Sequence, residues 1–285
     1  MAYNFFSKHF IRIFCRRLGI PKKPIYNFLR FVSSVSPNSF EERHIISREQ
    51  SSLTGLIDRH SGFYRFDEKA IPVLKDVIDD CTRLYDEKIQ QYDADYFVKN
   101  PNKGFLLTLS SDQELLKIPS IYKLITSEFV LDTVYSYLQQ PFVLSTIRLW
   151  WSVVNETEIR SQKFHIDDED LTQVKMFINI SDITEDHGPF KFITADLSDQ
   201  IISQNNHAKH RLTDNEVSAS MEDIPVVALT GNRGEGGFVD TSRCLHFGSR
   251  ANKFDRLVLM AQFLKFDAPL LKGSLPIFDR PGNYS

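Results

Sequence analysis

His165 and Asp167 stand one residue apart in Phe164-His165-Ile166-Asp167, and another histidine, His246, stands much later in Leu245-His246-Phe247. In a β-strand, residues i and i+2 point to the same side. A strand here converges His165 and Asp167 on one point and turns Ile166 away. Asp168 points with Ile166, and Asp170 falls where the strand has ended, so Asp167 is the carboxylate that geometry selects. Two imidazoles and one carboxylate form the facial set that holds Fe(II), or another divalent metal, with open positions opposite for a co-substrate and O₂. Arg256, shortly after His246, carries a planar fork that can take both oxygens of a carboxylate. A His-x-Asp pair alone more often marks a surface strand, and eight histidines are available in the chain. The sequence around each piece therefore has to decide.

That surrounding sequence has a pattern. Val174-Lys175-Met176-Phe177-Ile178-Asn179-Ile180-Ser181-Asp182-Ile183 follows the His-x-Asp pair. An acidic turn comes next, Glu185-Asp186-His187-Gly188-Pro189-Phe190, and Leu245-His246-Phe247-Gly248-Ser249 precedes Arg256. From about Pro141 to Phe266 the chain resembles the phytanoyl-CoA dioxygenase (PhyH-like) family of Fe(II)/2-oxoglutarate-dependent oxygenases. The resemblance implies a mainly β fold with flanking α: a double-stranded β-helix (jelly roll, cupin-like) core with N-terminal helices. It implies that His165, Asp167 and His246 are catalytic metal ligands and that Arg256 pairs with the distal carboxylate of 2-oxoglutarate. Fe(II), 2-oxoglutarate and O₂ are the expected cofactor and co-substrates, with succinate and CO₂ as by-products of oxidising a substrate C–H bond.

The chain departs from the family at named positions. His187 stands where Asn is usual, followed by Gly188 and Pro189. The hydroxyl after the second histidine comes one residue late, at Ser249, because Gly248 holds the usual place. Phe177 replaces a frequent Trp, which keeps an aromatic wall without its indole donor. Asp167 is present, unlike in the related halogenases. Arg250 is the rival to Arg256 and, lying in the turn, is expected to point to solvent. The turn Gly248 to Asp255 is expected to return the chain antiparallel, so that Arg256 starts the next strand beside His246.

Alternation assigns faces. Thr146, Arg148, Trp150 and Ser152 share one side of a strand over Leu144 to Val154. Lys175, Phe177 and Asn179 oppose Met176, Ile178 and Ile180, and Arg256, Val258, Met260 and Gln262 fall together. The polar-containing faces are expected to line the pocket. Ser249, Phe177 and Lys175 join Arg256 on the co-substrate side, and Arg148, Trp150, Ser152 and Asn179 are substrate candidates. Solvent exposure is the competing reading for Lys175 and Arg148.

Upstream, Ile71, Leu74, Ile78 and Cys81 recur at helical steps between Ala70 and Tyr92, with Pro72 in the first turn. Pro119 to Gln139 reads as one or two further helices. Residues 1–40 lack Asp and Glu and mix Lys and Arg with Phe and Ile. They read as a basic amphipathic segment that packs on the enzyme, with peripheral membrane contact or organelle import as alternatives. The division is 1–40, a helical part over 41–140, the jelly-roll core over 141–270 and a tail over 271–285. Gly231 to Gly237 lacks the Lys-Ser/Thr end of a phosphate loop and reads as a tight turn. His207-Ala208-Lys209-His210 reads as surface loop within a polar stretch, Ser198 to Met221, that can cover the pocket mouth.

A net charge of −3 gives no case for nucleic acid. Three scattered cysteines make neither a disulfide framework nor a zinc pattern, and Cys244 reads as a small buried residue. No apolar run reaches the roughly eighteen residues of a membrane span. The expectation is a cytoplasmic enzyme acting on a small-molecule or carrier-linked substrate, its oligomeric state unset by the sequence. A cupin-type isomerase or epimerase, and a non-catalytic binding module on the same scaffold, are the alternatives. The carboxylate-clamping Arg256 argues against the first and the intact triad against the second.

Overall fold

The computed structural model describes residues 55–92, 105–205 and 211–265. The basic N-terminal segment, the tail beyond 270 and His207, Lys209 and His210 lie outside the described residues. Two antiparallel sheets form the core. The larger has the order β1 (Phe63–Phe66), β7 (Gly236–Val239), β4 (Gln173–Asn179), β9 (Arg256–Lys265), β3 (Phe142–Ser152), β2 (Leu107–Thr108). The smaller runs β6 (Val227–Ala228), β5 (Lys191–Phe192), β8 (His246–Phe247). Bridges His165↔His246 and Phe164↔Leu212 extend the smaller sheet past β8. The fold is the double-stranded β-helix, mainly β with flanking helices.

Alternation sorts each long strand between two cores. Met176 and Ile178 of β4 join Leu257, Leu259, Ala261 and Phe263 of β9 in the cluster that takes up the helices. Those helices are α1 (Leu74–Ile89), α2 (Asp112–Leu116), α3 (Pro119–Ile125) and α4 (Glu128–Leu138). The opposite face contributes Phe177, Val258 and Met260, with Trp150 beside them, to a second cluster. There they meet Phe190 and Phe192, on and beside β5 of the smaller sheet. Register makes the faces continuous: Arg256 pairs with Ser152, Val258 with both Trp150 and Asn179, and Lys175 with Gln262. Because β9 is buried on both sides along nearly its whole length, it reads as an apolar run. Burying each large apolar side chain contributes roughly 1.5–3 kcal/mol.

The helix starts follow local chemistry. Ser111 caps α2 in a reciprocal box with Glu114, and Ser127 caps α4 by accepting from the Val130 N–H. The polar stretch from Ser198 differs from the loop expected of it. It carries the end of α5 (Ala195–Gln204) and α6 (Asp214–Ser220), the latter closed by a Thr213/Glu216 capping box. Ser198, Ile201 and Val217 are buried, so a few inward residues sufficed to fix helices that polar composition obscured. No helix among the described residues is long and apolar enough to cross a membrane.

A further correction concerns the turn from Gly248 to Asp255. It does not close a hairpin. β8 pairs with β5, whereas β9 pairs with β3 and β4, so the turn carries the chain from the smaller sheet to the larger. Arg256 and His246 are neighbours across the sandwich rather than along one ladder.

Candidate metal and co-substrate site

Each ligand candidate is aimed by backbone. His165 and His246 exchange their main-chain N–H and C=O groups at 3.0 and 2.9 Å, which sets the rings side by side at 4.3 Å between centroids. The Asp167 N–H donates to Thr241 O at 2.8 Å. One ligand atom from each of His165, Asp167 and His246 falls within 4.8 Å of the others. His165 Nδ1 donates to Lys163 O at 2.8 Å and His246 Nδ1 to Cys244 O at 2.9 Å. A carbonyl can only accept, so both protons sit on Nδ1 and both Nε2 lone pairs are left for a metal.

The electrostatics agree. Burial, joined by the neighbouring His165, pushes His246 down to about 3, against the pull of Asp167. Burial also lowers His165. Burial opposes ionisation of Asp167, but the Lys175 ammonium leads the charges that outweigh it and hold the carboxyl below its usual range. Neutral imidazoles beside an ionised carboxylate are the forms that ligate metal. Asp167 Oδ2 is buried and has no close partner among the described lysines and arginines besides the Lys175 ammonium, 2.6 Å away. An oxygen left so in the interior suits a divalent cation.

Arg256 is the second orphan. Burial draws its guanidinium down to about 10, and its Nε has no partner. Nη2 donates to Ser249 Oγ at 3.0 Å, and Ser249 Oγ lies 2.8 Å from Ser152 Oγ. A buried fork met, among the described residues, by one hydroxyl and no carboxylate suits an anionic ligand. The one-residue displacement of Ser249 is thus absorbed by its backbone. Ser249 adopts φ 58°, its N–H donates to Gly188 O, and its carbonyl accepts from Asn155 and Gln162 side chains at 3.0 and 2.6 Å. Gly188 itself sits at φ 60°, where a Cβ would come within 2.8 Å of Asn252 Cβ.

The remaining candidates divide. Phe177 stacks on Phe190 at 4.3 Å, and Phe190 lies 5.1 Å from the His246 ring, which makes an aromatic wall beside the triad. Trp150 joins the same cluster. Lys175 is drawn against Asp167 and is not in solvent. Arg148 forms an ion pair with Asp112. Asn179 is buried, with its amide 3.4 Å from Gly231 O. His187 stays structural, its Nδ1 accepting from the Thr184 N–H. Cys244 is buried as expected.

Arg250 corrects an expectation. Its side chain is 10% exposed, not directed into solvent. It lies 3.7 Å over the Phe247 ring and grips both oxygens of Asp214 on α6 at 2.8 and 2.6 Å. Sequence reasoning also missed Asn155, Gln162 and Asn252, which hold the sheet-crossing turn. Isolated amides in loops carry no periodic signal, and their partners lie far along the chain.

No family model matches the chain, and no curated protein does. Among solved structures, EctD from S. alaskensis with bound Fe aligns at TM-score 0.55 and 14% identity, over 84% of this chain and 85% of that one. EctD with 2-oxoglutarate and 5-hydroxyectoine aligns at TM-score 0.55 and 13% identity, over 85% and 89%. The likeness is one of fold. The architecture expected from the motifs is the one observed.

Proposed function

We propose that this chain is a non-haem Fe(II)/2-oxoglutarate-dependent oxygenase of the phytanoyl-CoA dioxygenase type. Its proposed reaction is hydroxylation of an aliphatic carbon in a small-molecule or carrier-linked metabolite. The carrying observation is the triad: two imidazoles whose Nδ1 atoms are spent on carbonyls, which frees Nε2, and a buried carboxylate with a ligand atom within 4.8 Å of theirs. His165, Asp167 and His246 would hold the metal. Once bound, iron supplies the redox chemistry that couples 2-oxoglutarate and O₂ to oxidation of the substrate.

The chain's own residues do the rest. Arg256 binds the distal carboxylate of 2-oxoglutarate, and Ser249 orients the guanidinium through a hydrogen bond backed by Ser152. Phe177, with Phe190 stacked on it, keeps water from that wall, and Lys175 adds positive charge near the ligands. Trp150 and Asn179 are the substrate-side candidates on the same sheet face, with Ser152 and Arg148 at its margins. A cytoplasmic setting accords with buried free thiols at Cys81 and Cys244.

The test is succinate formation from 2-oxoglutarate on adding Fe(II) under air, coupled to a panel of candidate substrates. His165→Ala, Asp167→Ala and His246→Ala should each abolish turnover and metal binding while circular dichroism stays that of the parent. Turnover surviving in a His165→Ala/His246→Ala double variant would exclude this reading.

A further inference from the structure

The ion pair between Lys175 and Asp167 puts a fixed positive charge on a carboxylate that a bound metal would share. The ammonium lies 2.6 Å from Asp167 Oδ2, and both side chains are 14% exposed. The same oxygen is 3.7 Å from His246 Nε2, so Lys175 pairs with an oxygen that also lies near a second ligand candidate. Lys175 is the one lysine or arginine paired with Asp167 among the described residues. Lys175 is fixed from behind, on β4, in register with Val239 on one side and Gln262 on the other.

We propose that Lys175 is a positioning residue that holds the metal's place in the metal-free protein; the inference rests on the metal-site reading above. Without metal, its charge neutralises a carboxylate that burial would otherwise leave uncompensated, and keeps that carboxylate turned toward the imidazoles. When a divalent cation arrives, two positive charges share one anion in a poorly solvated site and repel each other. Lys175 therefore stabilises the metal-free state more than the metal-bound state. By linkage, removing its charge must tighten metal binding. A lysine with a merely architectural role would do the reverse, because loosening Asp167 weakens the site.

The experiment uses the full chain, stripped of metal, with Co(II) as the probe. Calorimetric titration compares the parent with K175M, which keeps the volume without the charge, and K175R, which keeps the charge. K175M should bind Co(II) at least about tenfold more tightly, with an unchanged Co(II) absorption envelope. Its metal-free form should melt lower than the parent and gain more on adding Co(II), while K175R stays near the parent. Equal or weaker Co(II) binding by K175M overturns the proposal while leaving the metal site standing. A parent that binds no Co(II) at all removes the site and the proposal together. If K175M fails to fold without metal, the neutral pair D167N/K175M decides the matter. Its metal-free form should melt above K175M alone, and a double variant no more stable than the single one overturns the proposal.

Discussion

Arg256 is a buried cation that, among the described residues, meets the Ser249 hydroxyl and no carboxylate. Its loss should tell directly on the co-substrate. Removing one partner of a buried hydrogen-bonded charge pair costs about 2–5 kcal/mol, so Arg256→Ala should raise the 2-oxoglutarate concentration for half-maximal succinate formation at least about thirtyfold. Arg250→Ala should shift that concentration little, because its fork is spent on Asp214 and Phe247. Titrating 2-oxoglutarate into both variants at saturating Fe(II) separates them, and a large shift in Arg250→Ala alone would reassign the clamp. At this scale much was legible. The i, i+2 spacing singled out His165 and Asp167, although the strand expected there shrinks to isolated bridges at Phe164 and His165 and does not reach Asp167. The carbonyls of Lys163 and Cys244 that set the tautomers were not legible, since every residue has a carbonyl and only the fold aims it.

Among the elements, β4 and β7 carry the closest constraint. A Cβ on Gly236 would lie 2.1 Å from Phe177 O, a backbone atom that cannot rotate away. Gly236→Ala should therefore destabilise the protein by about 1–3 kcal/mol through overpacking and push the Phe177–Phe190 wall toward the triad. Urea unfolding measures the first effect, and the fluorescence of Trp150 in the same cluster reports the second. An unchanged midpoint would show that β7 can slide. Long strands such as β4 and β9 were readable because their largely apolar runs persist over 7 and 10 residues. The sheet to which β8 belongs was not readable, because a strand of two residues, His246–Phe247, has no period. Its partner is fixed by the exchange with His165 and by β5, both distant in sequence. The helices α5 and α6 were hidden by a polar composition that leaves only a few residues inward.

For the molecule as a whole, the buried imidazoles make the metal-free protein sensitive to acid. The unfolded chain binds a proton at His246 near the ordinary 6.5, whereas burial and His165 delay this in the folded state to about 3. Between those values the unfolded state holds more protons, so stability falls as the pH falls and this contribution is flat above the window. The slope should approach about 1.4 kcal/mol per pH unit for this histidine, with His165 adding in the same direction. Urea midpoints at several values from pH 7 to pH 4 test it. His246→Asn should flatten the profile, and an identical slope in that variant would place the acid sensitivity elsewhere.

The turn that leaves β8 for β9 has a consequence of its own. It puts His246 on one sheet and Arg256 on the other, and packed sheets keep a face-to-face distance of about 10 Å. If the proposed co-substrate site holds, a diacid bound at one end by metal ligands and at the other by Arg256 would be gripped by opposite walls of the sandwich. The gap between the layers would then work as a caliper. It would measure carbon-chain length, admitting the diacid that fits and penalising homologues one methylene shorter or longer without any side chain dedicated to telling them apart.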